Sequence, residues 1–100
     1  MQVRTGEITF GSFSGSGPRS AFSDVTFPSA LTTATAFLTG MTAEFSPSDG
    51  DHHFGELEVR LDTAVTGSAV RVTATFGLCD WSGNWDDRYE GQVFFAVVGE

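Results

Sequence analysis

Residues 57–78 read LEVRLDTAVTGSAVRVTATFGL, and their spacing decides the fold. Leu57, Val59, Leu61, Thr63 and Val65 alternate with Glu58, Arg60, Asp62 and Ala64. That period of two puts one side of an extended strand in a core and the other in water. After Thr66-Gly67-Ser68 the alternation resumes, with Val70, Val72, Ala74, Phe76 and Leu78 set against Arg71, Thr73 and Thr75. Two alternating runs joined by turn-forming residues predict an antiparallel hairpin.

Further strands follow on both sides of this hairpin. Tyr89 to Val98 is a terminal run, and Thr32 to Phe45 is a long one in which Gly40 marks a bulge or bend. Phe22 to Phe27 is a short strand stopped by Pro28, and Gln2 to Phe10 ends at Gly11. The segments between them, 11–20 (GSFSGSGPRS), 46–55 (SPSDGDHHFG) and 80–88 (DWSGNWDDR), are rich in Gly, Ser, Asp and Pro and read as loops. No helical period is present, and Thr, Val and Phe dominate the apolar runs, as a pleated surface favours. A parallel sheet needs crossovers of a dozen or more residues, and none is available. The expected fold is all-β, a six-stranded antiparallel β-sandwich built as one domain over residues 1–100. Its expected core includes Leu57, Val59, Leu61, Val70, Val72, Phe76, Val93 and Phe95.

The terminal run departs from simple alternation. Val93, Phe95 and Val97 share one face, and Phe94, Ala96 and Val98 the other. A strand apolar on both sides needs cover on both sides. In a two-layer sandwich that cover comes from loops or from a second subunit, and subunit contact is the expectation preferred here.

Composition narrows the partners. The 100 residues include ten Phe and carry a net charge of −8, and all the basic residues are Arg. An acidic surface without Lys repels phosphate backbones and anionic lipid, so no nucleic acid and no membrane is expected as a partner. Cys79 is the only cysteine, so no disulfide forms within the chain. Residues 1–20 hold no apolar run of signal-peptide length, and nothing approaches the roughly 20 apolar residues of a membrane span, so a soluble domain is expected.

Few residues carry recognisable chemistry. His52-His53 follows Asp49-Gly50-Asp51, but no further His exists to complete a metal site, and a solvated loop explains the run. The loop from Asp80 to Asp87 has oxygen donors at alternate positions without the Gly and Glu of a calcium loop. No cofactor and no metal is expected. There is no nucleophile elbow, Cys79 has no flanking base, and Glu58, Arg60 and Asp62 suit an exposed, ion-paired strand face. A non-catalytic protein is expected.

Trp81 and Trp85 stand out. Large aromatic surface in a polar loop needs a cover or a ligand. An indole ring stacks on the C–H face of a sugar while neighbouring Asp and Asn exchange hydrogen bonds with its hydroxyls. One of the two Trp is expected to plug the end of the sandwich and the other to be available. The candidate carbohydrate-binding residues are Trp81, Trp85, Asp80, Asp86 and Arg60.

Val3-x-Thr5-Gly6-x-Ile8, the strand ending Val25-Thr26-Phe27, the Arg60-Leu61 strand and the Trp-bearing loop before an apolar terminal strand together resemble the H-type lectin domain. That is the domain of snail agglutinins and of the C-terminal half of discoidins. The resemblance runs over nearly the whole chain in order and spacing. It implies a six-stranded sandwich, a homotrimer, and binding of galactose- or N-acetylgalactosamine-type glycans at clefts between subunits. It also implies sugar contacts from an Arg on the fourth strand and a Trp in the last loop. Arg60 and Trp81 are the nearest matches, with Trp85 an alternative. The competing expectation is a structural trimerisation or attachment domain of a larger surface or phage-tail protein, without sugar binding. A third is a metal-dependent hydrolase using His52-His53.

Overall fold

The alternation in 57–78 becomes two long antiparallel strands, β4 (Phe54–Thr66) and β5 (Ala69–Asp80). The computed structural model describes residues 1–13, 17–46, 53–85 and 87–100. The turn between β4 and β5 is two residues long, with Gly67 at φ 61 and Ser68 in the ordinary negative range. This is the type II′ arrangement, whose twist matches that of the strands it joins. Four more strands complete the fold: β1 (Gln2–Phe13), β2 (Arg19–Thr26), β3 (Ala34–Phe45) and β6 (Tyr89–Gly99). They form two antiparallel three-stranded sheets in the orders β1-β6-β3 and β2-β5-β4.

The two most apolar strands, β5 and β6, are the central strands of their sheets. Each is paired along both edges over most of its length, and their inward residues meet in the interior. Val70, Val72, Ala74, Phe76, Val93, Phe95 and Val97 are wholly buried. Phe76 sits at the aromatic centre, with ring centroids 5.1 Å from Phe10 and 5.6 Å from Tyr89. The Tyr89 hydroxyl donates to the carbonyls of Gly17 and Phe76, so its polar end is satisfied inside the core. The domain measures 47 × 19 × 17 Å, and its radius of gyration of 15.3 Å exceeds the about 13 Å of a rounder 100-residue domain. Long strands in narrow sheets give one thin core layer between two broad outer faces.

Several expectations need correction. Leu57 lies 40% exposed rather than in the core. β4 is an edge strand, covered from one side only, and its register shifts between Phe54 and Glu56 just before Leu57. For the same reason Val59 and Leu61 are half-buried against the core. The 11–20 loop is shorter than expected, because β1 runs on to Phe13, pairing with Tyr89 across a register shift after Phe10. β2 starts at Arg19, whose guanidinium donates to the carbonyls of Gly11 and Tyr89 and lies 4.6 Å from the Tyr89 ring centroid. A residue read as loop thus ties the end of one sheet to the start of the other. Phe54 and Gly55 likewise belong to a strand. The shift at Gly40 is present, between Leu38 and Gly40 in the pairing with β6.

The outer face of β1-β6-β3 is the doubly apolar feature expected of the terminal run. Phe94, Ala96 and Val98 are half-buried there. Val98 stands between Val3 and Thr35, and Ala96 between Thr5 and Phe37. Val3 and Phe37 are more than half exposed, so no segment among the described residues covers this face.

Candidate functional site

The 80–88 loop starts where β5 outruns its neighbour. β2 ends its pairing at Arg19 opposite Phe76, so the last residues of β5 have β4 beside them on one edge only. Pro18 and Trp85 pack against β5 at Gly77. A side chain built on Gly77 would lie 2.8 Å from the Trp85 ring and 2.9 Å from Pro18, so only the bare backbone lets them in. Trp85 is half-buried and meets Tyr89 edge to face at 6.5 Å between centroids. Trp85 is therefore the plug.

Trp81 does the opposite, at 74% exposure. Its backbone is nevertheless fixed. Trp81 N–H donates to the His53 carbonyl at 3.0 Å, and Gly83 N–H to the Asp80 carbonyl at 3.1 Å. The Asp80 carboxylate accepts from Ser82 N–H at 3.0 Å and from the Ser82 hydroxyl, an Asx-type turn that holds the loop from within. The close approach of the two chains is possible because Gly55 has no side chain, since a Cβ there would collide with the Asp80 carbonyl. The ring is thus carried on a rigid turn and turned to solvent.

The structure brings Asp80, Trp81, Ser82 and Asn84 together in this turn, while Asp86 lies outside the described residues. It does not bring Arg60 to them within one chain. Arg60 stands opposite Thr75, and Asp80 is five residues further along β5, about 17 Å at the rise of a strand. Arg60 instead donates to Glu58 at 3.2 Å along its own strand. Sequence reasoning missed Phe54, which is 65% exposed and pairs with Asp80 beside the Trp81 turn. The signal was an isolated Phe in a polar run immediately before a Gly. Two exposed aromatics therefore flank one fixed carboxylate turn at this end of the domain.

The reactive candidates have quieter surroundings. Asp49, Asp51 and His52 fall outside the described residues, and His53 is exposed with its carbonyl engaged by Trp81. Among the described residues no three His, Cys, Asp or Glu side chains converge as metal ligands would. Cys79 is 2% exposed. Burial pushes its thiol up, the carboxylates of Glu56, Asp80 and Asp87 push the same way, and a hydrogen bond with the Glu56 backbone opposes them. A buried thiol held protonated is a poor nucleophile. Cys79 is expected to resist a thiol-specific reagent at pH 8 and to react with one equivalent once the chain is unfolded in denaturant. Rapid labelling of the native protein would contradict this placement.

No family model, curated protein or solved structure matches the chain. The chemistry of the site has to be read from its own residues.

Proposed function

We propose that the domain is a non-catalytic glycan-binding module of the H-type lectin kind, displayed by a homotrimer and recognising galactose- or N-acetylgalactosamine-type sugars. The observation that carries the reading is Trp81, a ring at 74% exposure on a turn fixed by three backbone N–H donors. An exposed Trp on a mobile tip would lose much of its stacking energy to ordering, whereas a fixed one has that cost already met by the fold. Phe54, opposite Asp80 on β4, is a second exposed ring at this end of the domain, and Asp80, Ser82 and Asn84 supply hydrogen-bonding groups of the kind that orient a sugar ring. Arg60 is too far along its own chain to share one sugar ring with Trp81, so its part in this reading belongs to a neighbouring subunit's site.

The homotrimer is supported by the apolar outer face of β1-β6-β3, centred on Phe94, Ala96 and Val98 and edged by Val3 and Phe37. That face also favours the second reading, a structural trimerisation or attachment domain, because it is separate from the Trp81 turn. An array of immobilised glycans probed with the purified protein separates the two. Binding confined to galactose-type structures supports the module. Silence across the array from a stable trimer supports the structural reading.

A further inference from the structure

The outer face of the second sheet holds a feature that the Trp81 reading leaves unused. Asp24, Arg71 and Ala64 are direct cross-strand partners in β2, β5 and β4. Arg71 Nε donates to Asp24 Oδ1 at 2.9 Å and Nη2 to Oδ2 at 3.1 Å, a two-bond fork. The guanidinium carbon sits 3.8 Å from the ring centroid of Phe22, two residues from Asp24 along β2 and itself 57% exposed. Fork and ring together fix an Arg side chain that would otherwise be among the most mobile on a surface. The fork holds the Asp24 carboxyl below its ordinary range and raises Arg71, so both stay charged across neutral pH. Arg71 leans toward β2, and Asp24, Ala64, Thr66, Ala69 and Arg71 together line an open recess of about 430 Å³, which the small side chains of Ala64 and Ala69 leave unfilled.

We propose that this recess is a second saccharide site, at the opposite end of the domain from Trp81. The assignment of a sugar rests on the glycan-binding reading above, while the place rests on residues of its own. Asp24 takes two of the five N–H groups of Arg71, which leaves three donors, and each carboxylate oxygen keeps a further acceptor direction. A donor and an acceptor fixed side by side match adjacent sugar hydroxyls, and the methyl groups of Ala64 and Ala69 suit the C–H edge of the ring. The local charge sums to zero in a chain of net −8, which disfavours a phosphate, sulfate or carboxylate ligand, and Arg71 already has its carboxylate. A neutral polyol remains. Arg71 lies nine residues from Asp80 on β5, about 30 Å away, so the two sites bind separate sugar units. Two sites per chain raise the avidity of an extended or branched glycan.

Amide and guanidinium NMR signals of the isotope-labelled chain, titrated with methyl β-galactoside and then with inorganic phosphate and sulfate, test the site. The expected result is saturable shifts at Ala64, Thr66, Ala69 and Arg71 with the galactoside. These shifts should persist in Trp81→Ala and weaken at least tenfold in Arg71→Lys, which keeps the charge and loses the fork. Ala64→Leu, which fills the recess and spares the ion pair, should abolish them while the melting temperature holds. Shifts confined to the Trp81 turn would overturn the second site and leave the first standing. Shifts at the recess without any at the turn would uphold the second site and remove the first. Response at Arg71 to the anions alone, or to nothing, would overturn the proposal.

Discussion

Truncating Phe76 to Ala is expected to lower the free energy of unfolding by about 3–5 kcal/mol. Phe76 is wholly buried on the central strand of its sheet and touches the rings of Phe10 and Tyr89. The cost combines the lost transfer energy of the ring with the cavity left where those rings cannot close in. Relaxation is limited because Arg19 and the Tyr89 hydroxyl pin Tyr89 by hydrogen bonds. Against a total of about 5–15 kcal/mol for an ordinary domain, this loss brings the thin, disulfide-free core close to unfolding. Urea denaturation should show a much lower midpoint with an unchanged slope. A change below about 1 kcal/mol would mean that the aromatic cluster does not hold the two sheets together.

Ala96→Glu is expected to split the proposed trimer into single folded chains. Ala96 faces outward on β6, between Thr5 and Phe37, so a carboxylate there meets water in the separated chain and apolar surface in the assembly. An unpaired charge in a closed contact costs several kcal/mol, and each 1.4 kcal/mol is tenfold in association. Each copy carries a net charge of −8, so association must overcome mutual repulsion and has to come from apolar burial. Light scattering at micromolar concentration should give three times the chain mass for the native sequence and for Ala96→Ser, and one times for Ala96→Glu. A native protein at one chain mass would remove the trimer.

The parts of the fold that could be read in advance were those where the pattern of a segment and its place in the sheet agree. The 57–78 hairpin alternates cleanly, and its turn needed a Gly at one position. The double apolar character of 93–98 marked a strand with apolar residues on both faces, and the structure puts that strand at the centre of its sheet. Leu57 alternates in step with Val59 yet lies exposed, because period alone does not say where an edge strand leaves its cover. Arg19 and Phe54 were read as loop, since their strands exist through partners distant in sequence, namely Phe76 and Asp80. The division of labour between Trp81 and Trp85 was legible only as a choice. It is settled by where β2 stops and by the bare backbone at Gly77, neither of which has a local signal. Arg60 alternates to the solvent side as expected, but its distance from the Trp turn depends on register across the hairpin.

Binding to a galactose-bearing surface by the native protein, Trp81→Ala and Trp85→Ala, measured with the melting temperature of each, tests the central claim most directly. Trp81→Ala should keep its melting temperature, since surface changes stay within about 0.5 kcal/mol, and should lose at least tenfold in affinity at the Trp81 turn. Trp85→Ala should melt earlier, because it empties the plug against Tyr89 and Gly77. Native protein that binds no galactose-type glycan, or Trp81→Ala that binds as the native protein does, would contradict the account.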